Sequence, residues 1–136
     1  MAGENNLHEF PAGFLDRDAI LAADDLPEEV VEVPEWGGKV LIRGMTGEER
    51  DSFEESIMQQ RGGEREINLK NFRAKLVARS IVHPVTKERL FKDNEIHLLG
   101  KKSAIALQRV FEAALRLNGM TQQAVEELTK STEEAS

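Results

Sequence analysis

Apolar residues alternate with polar ones before Gly44 and recur three and four positions apart after Thr46. A strand sends every second side chain to one face, whereas a helix stacks positions three and four apart. The chain must therefore hold both element types in series. Its 136 residues suffice for one hydrophobic core and favour one domain over two. The expected architecture is α+β and mostly helical, with one N-terminal β-hairpin packed on about four to five helices. Residues 1–15 hold no sustained period and carry Gly3, Pro11 and Gly13, which predicts a flexible arm. A single domain follows over residues 16–130, and residues 131–136 read as a flexible polar tail.

Asp16 or Asp18 is placed to cap a short helix through Ala19–Ala22, closed by Pro27. In Glu28–Val33, Val31 and Val33 share one side of an extended segment. Pro34-Glu35-Trp36-Gly37-Gly38 then turns the chain into Lys39–Arg43. Thr46-Gly47-Glu48-Glu49 has capping-box spacing and starts a helix with Phe53, Ile57 and Met58 inward, ended by Arg61-Gly62-Gly63-Glu64-Arg65. From Asn68, the stripe Leu69, Phe72, Leu76, Val77 and Ile81 predicts a second helix. Lys70, Arg73, Lys75 and Arg79 mark its outer side, and Pro84 stops it by about Val82.

Val85–Phe91 reads as a turn or short extended strip, after which Asp93 caps a brief helix that lasts to Gly100. The longest helix runs from Ser103 to Asn118. Ala104, Leu107, Phe111, Ala114 and Leu115 lie on its core stripe, Ile105 and Val110 broaden it, and Gly119 terminates it. Thr121 opens a last helix through Leu128.

Charge is uneven around a net value of -7. Through Glu35 there are ten acids against Arg17 alone, Trp36–Gly119 holds sixteen Lys or Arg against eleven acids, and the rest returns to four acids against Lys130. The basic residues are interleaved with acids, and the aromatics form no stacking platform, so nucleic acid is a poor fit as partner. The absence of cysteine excludes disulfides and thiolate metal sites. No apolar run approaches the roughly 20 residues of a membrane span, and the acidic start is unlike a signal peptide, so a soluble intracellular protein is expected.

Catalytic signatures are missing. His8, His83 and His97 form no ligand cluster at a standard spacing. His83 precedes a proline and fits a loop network better. Gly37-Gly38 lacks the rest of a phosphate loop, and Ser52 and Ser56 lack a nucleophile elbow. The expectation is a binding protein, not an enzyme, with no catalytic, cofactor or metal residues. Trp36, the one tryptophan, reads either as cover for the hairpin or as an anchor for a partner, and packing is the simpler reading. A two-stranded hairpin whose edges have no partner strand in the chain would recruit a second copy or a client. Trp36, Val40 and Ile42 are accordingly the candidate partner-binding residues.

The ordered series Val31-Glu32-Val33-Pro34-Glu35-Trp36-Gly37-Gly38-Lys39-Val40-Leu41-Ile42-Arg43, Met45-Thr46-Gly47-Glu48-Glu49-Arg50-Asp51 and Asn71-Phe72-Arg73-Ala74-Lys75-Leu76-Val77 resembles the tail assembly chaperones of siphovirus-type, long-tailed bacteriophages and prophages. The likeness continues through Leu90-Phe91, Leu98-Leu99-Gly100-Lys101-Lys102-Ser103 and Leu117-Asn118-Gly119-Met120-Thr121, and covers nearly everything from Asp16 to Leu128. His83-Pro84-Val85-Thr86 departs from it, since the family's pattern has an acidic-glycine turn there. The resemblance implies a protein that binds the tape measure protein, keeps it soluble while the tail tube forms, and is absent from the virion. It also implies the host cytoplasm, self-association, the tail tube protein as a second partner, and a longer form made by ribosomal frameshifting. A small adaptor or regulatory module is the alternative, and a nucleic-acid-binding protein the third reading.

Overall fold

The computed structural model describes residues 9–67 and 71–120. Helix α1 (Arg17–Ala22) begins where the Asp16 carboxylate accepts the Ala19 N–H at 2.9 Å, and none of its residues is buried. Strands β1 (Glu28–Val33) and β2 (Gly38–Arg43) pair antiparallel in the register Val31↔Val40 and Glu29↔Ile42. Between them Pro34–Trp36 makes a single 3₁₀ turn, closed by Gly37 in the left-handed region at φ 78°. Val31, Val33 and Ile42 share the inner face and are buried, as their alternation predicts.

Helix α2 (Gly47–Ser56) starts on a complete capping box: Thr46 Oγ1 accepts the Glu49 N–H, and the Glu49 carboxylate accepts the Thr46 N–H. The expected helix does not continue through Met58. Instead β3 (Met58–Arg61) and β4 (Glu64–Ile67) form a second hairpin, with Arg61 opposite Glu64. Gly62 and Gly63 both have positive φ, 60° and 86°, which a two-residue hairpin turn of this hand requires.

Helix α3 (Phe72–Ser80) follows; the expected start at Asn68, with Leu69 and Lys70, lies outside the described residues. It stops at Ser80, because Ile81-Val82 form strand β5, paired antiparallel with β2 through Leu41↔Val82 and Ile42↔Ile81. The sheet order is β1-β2-β5, so the hairpin's β2 edge does find a partner in the chain. Two β-branched residues ahead of His83-Pro84 favour an extended path over another helical turn. Arg79, expected on the outer side of α3, is buried at 6% exposure. Its helix is flanked by α5 and by the segment after β5, so the buried face is wider than the apolar stripe.

Asp93–Glu95 form a 3₁₀ turn leading into α4 (Ile96–Leu99). Asp93 is not the cap. The Glu95 carboxylate accepts the Lys92 N–H at 2.8 Å, and Asp93 is engaged by arginines. Helix α5 (Ala104–Leu117) is capped by Ser103, whose hydroxyl accepts the Ala106 N–H. It lies along the sheet and against α3, burying Leu107, Val110, Phe111, Ala114 and Leu115. Gly119 adopts φ 68° as its terminator. The first turn of α5 departs from the expected stripe: Ala104 is exposed, and Ile105, which should broaden the stripe, is 65% exposed.

Phe53, Phe72 and Phe111 stack in succession, with ring centroids 5.5 and 5.8 Å apart, and join α2, α3 and α5. The expected helix from Thr121 to Leu128 and the tail over 131–136 lie outside the described residues.

Candidate functional site

An apolar cleft of about 400 Å³ opens where the β1–β2 turn, β5 and α4 meet. Pro34 fixes the start of the turn, and the Gly37 N–H donates to the Pro34 carbonyl at 3.0 Å, placing Trp36 on one wall. Val40 follows on the inner face of β2 and Ile81 on β5, while Leu90, Phe91, Leu98 and Leu99 supply the opposite wall. Lys102 is the charged side chain in the lining. This volume falls within the range of small-molecule pockets, roughly 300–1,000 Å³, but the lining lacks the converging polar groups that would orient one. It suits apolar side chains projecting from another polypeptide.

The far wall is held by a connected set of polar contacts. His83 Nδ1 accepts the N–H groups of Val85 and Thr86 at 3.0 and 3.2 Å, and the His83 N–H donates to the Glu88 carbonyl, giving the loop network expected for this residue. The Leu90 N–H reaches the Ile81 carbonyl at 3.1 Å. Asp93 then receives two guanidinium groups, Arg89 Nη2 at 2.9 Å and the buried Arg79 Nη2 at 3.4 Å. Burial pushes the Asp93 carboxyl up, but the hydrogen bond from Arg89 and the charges of Arg79 and Arg89 outweigh it and hold the pKa below its ordinary value. Burial lowers the pKa of Arg79, against the opposing charges of Asp93 and Glu49, and arginine still remains charged.

The near wall is tied down too: Arg109 Nε and Nη2 donate to the two Glu35 oxygens at 2.9 and 3.0 Å, bracing the turn on α5. The cleft is therefore preformed. By contrast, the depression along α3 and α5 is more open, and the charged and polar side chains in its lining satisfy one another, Arg73 with Gln108 and Gln108 with Glu112.

Of the three candidate partner-binding residues, Trp36 and Val40 come together in the cleft, each half-buried. The packing reading of Trp36 holds, since its ring packs on the core cluster, and the ring also lines the cleft. Ile42 faces inward at 0% exposure and has no surface to offer a partner. The opposite wall was missed; its only signal in the sequence was the paired apolar residues Leu90-Phe91 and Leu98-Leu99. Among the described residues, no group of three or more His, Asp or Glu is placed to hold a metal ion, and no helix is long and apolar enough to cross a membrane.

A family model described as phage tail assembly chaperone matches residues 17–135. No curated protein and no solved structure matches the chain.

Proposed function

The chain belongs to the phage tail assembly chaperone family, and from that membership we propose that it binds the tape measure protein directly and reversibly. Binding keeps that long client soluble in the host cytoplasm while the tail tube polymerises, and the chaperone leaves before the virion of a siphovirus-type phage is complete. The role is one of contact, without catalysis. Self-association belongs to the same reading, and the tail tube protein is a second partner.

The observation that carries the proposal is the apolar cleft between Trp36 and Leu98. A helix-rich client exposes apolar stripes until it is packed, and an apolar cleft covers such a stripe without covalent chemistry. Co-expression with a tape measure fragment from the same genome tests it. The fragment's soluble yield should rise with the chaperone at matched expression, and Val40→Asp should weaken the effect. Equal insolubility with and without the chaperone, and no co-purification, would return the chain to the adaptor reading.

A further inference from the structure

We propose that the N-terminal arm of one copy, through Ile20 and Leu21 of α1, seats in the Trp36–Leu98 cleft of a second copy, so that self-association and client binding compete for one site. This deepens the self-association part of the proposed function and rests on it.

The arm is an apolar surface that its own body leaves uncovered. Phe14, Leu15, Ile20 and Leu21 are 71%, 63%, 56% and 67% exposed, and no residue of α1 is buried. A helix of six residues is marginal alone in water, and consecutive exposed apolar side chains of this size mark an interaction surface. The cleft is the complementary feature on the body: preformed, apolar and open.

Charge agrees with shape. Asp24 and Asp25 follow α1 after Ala23, and the chain ahead of β1 holds six acids against Arg17 alone. Lys102 lines the cleft, and Lys101 and Lys92 adjoin lining residues in sequence; all three are exposed and none is ion-paired among the described residues. An acidic arm approaching a cleft that carries Lys102 in its lining is attracted on approach and fixed in orientation.

The placement of α1 leaves the cleft to a second copy. The Gly44 N–H donates to the Pro27 carbonyl at 2.9 Å, which pins the arm's base at the end of β1 remote from the Trp36 turn. A six-residue strand covers roughly 20 Å, and the linker Ala23–Pro27 spans at most about 18 Å when drawn straight. In the structure α1 at the far end of this linker has no buried residue, so the body's own cleft is left open to the arm of a second copy.

Sedimentation of the full-length protein over a dilution series, with Ile20→Glu/Leu21→Glu in the arm and Leu98→Glu in the cleft, tests this. Each substituted side chain is exposed by 47% or more, and an unchanged thermal melt of the dilute variants confirms that they fold. The wild type should self-associate, and either variant should raise the dissociation constant roughly tenfold or more. Mixing the two variants should restore a one-to-one pair, because one intact arm then meets one intact cleft. An arm variant that associates like the wild type overturns the arm assignment and leaves self-association standing. A wild type that stays monomeric overturns both, while tape measure solubility in co-expression reports separately on the client.

Discussion

Asn118, at the end of α5, holds the loop after β2 in place: its Oδ1 accepts the Met45 N–H at 2.7 Å. The same side chain donates from Nδ2 to the Ala114 carbonyl, and its own carbonyl receives Arg50 Nη1 at 3.1 Å. One residue thereby joins the helix end to the β2–α2 connection. Asn118→Ala should cost about 1–3 kcal/mol, because it leaves a half-buried amide without its partner. Thermal or urea denaturation measures this, and a loss below about 0.5 kcal/mol would show that water replaces the bond freely.

The phenylalanine stack predicts a sharp contrast along α5. Phe111 is 2% exposed, meets Phe72 edge-on and carries the Arg73 guanidinium 5.5 Å from its ring centroid. Phe111→Ala should cost about 3–5 kcal/mol. Ile105→Ala, six positions earlier and mostly exposed, should stay within about 0.5 kcal/mol of wild type. Similar losses for the two would overturn the assignment of the buried face.

Asp93 should make part of the stability depend on acid. Its pKa is depressed in the folded state, so its contribution is present above the unfolded carboxyl value of roughly 3.9 and disappears as pH falls through the lower folded value. Asp93→Asn should therefore be less stable than wild type near neutrality, and the difference should shrink on acidification below about pH 4. Paired denaturation curves at several pH values give the answer. A difference that does not change with pH would mean that the carboxylate charge is not what stabilises this wall.

Trp36 offers a direct reading of the cleft, since it is the one tryptophan in the chain and stands in the wall. On the proposed function, an amphipathic helical peptide from a tape measure protein should protect its fluorescence from acrylamide and shift the emission to shorter wavelength. Leu98→Glu should abolish the shift. Saturable peptide binding with an unaltered tryptophan signal would place the client elsewhere on the surface.

Elements with strong periodicity were legible in the sequence. The β1–β2 alternation, the Thr46 capping box and the α5 stripe each state their structure locally, and Val31, Ile42, Phe53 and Phe111 are buried accordingly. β5 has only two residues, too few to show a period, and exists because Ile42 and Leu41 offer it an edge. The strands of the second hairpin, MQQR and EREI, lack an apolar alternation, so the glycine pair between them reads as a break and not as a turn. Burial of Arg79 depends on Asp93, fourteen residues later, and no local pattern contains that pairing. The cleft was half visible for the same reason: Trp36 and Val40 follow from the hairpin, whereas Leu98 becomes its wall only after β5 and Asp93 fold the chain back.

The Gly62-Gly63 turn also divides the molecule in a way that suits a split reporter. β3 and β4 pair only with each other among the described residues, while the three-stranded sheet takes β1 and β2 from one side of the turn and β5 from the other. Cut between the glycines, the chain becomes two fragments, each lacking what the other holds: one has β1, β2 and α2 without the third strand and the α3 and α5 cover, the other has that strand and cover without the rest of the sheet. Their reunion is built into the topology, so fusing half of an indicator enzyme to each fragment turns folding of this domain into a signal readable inside a living cell.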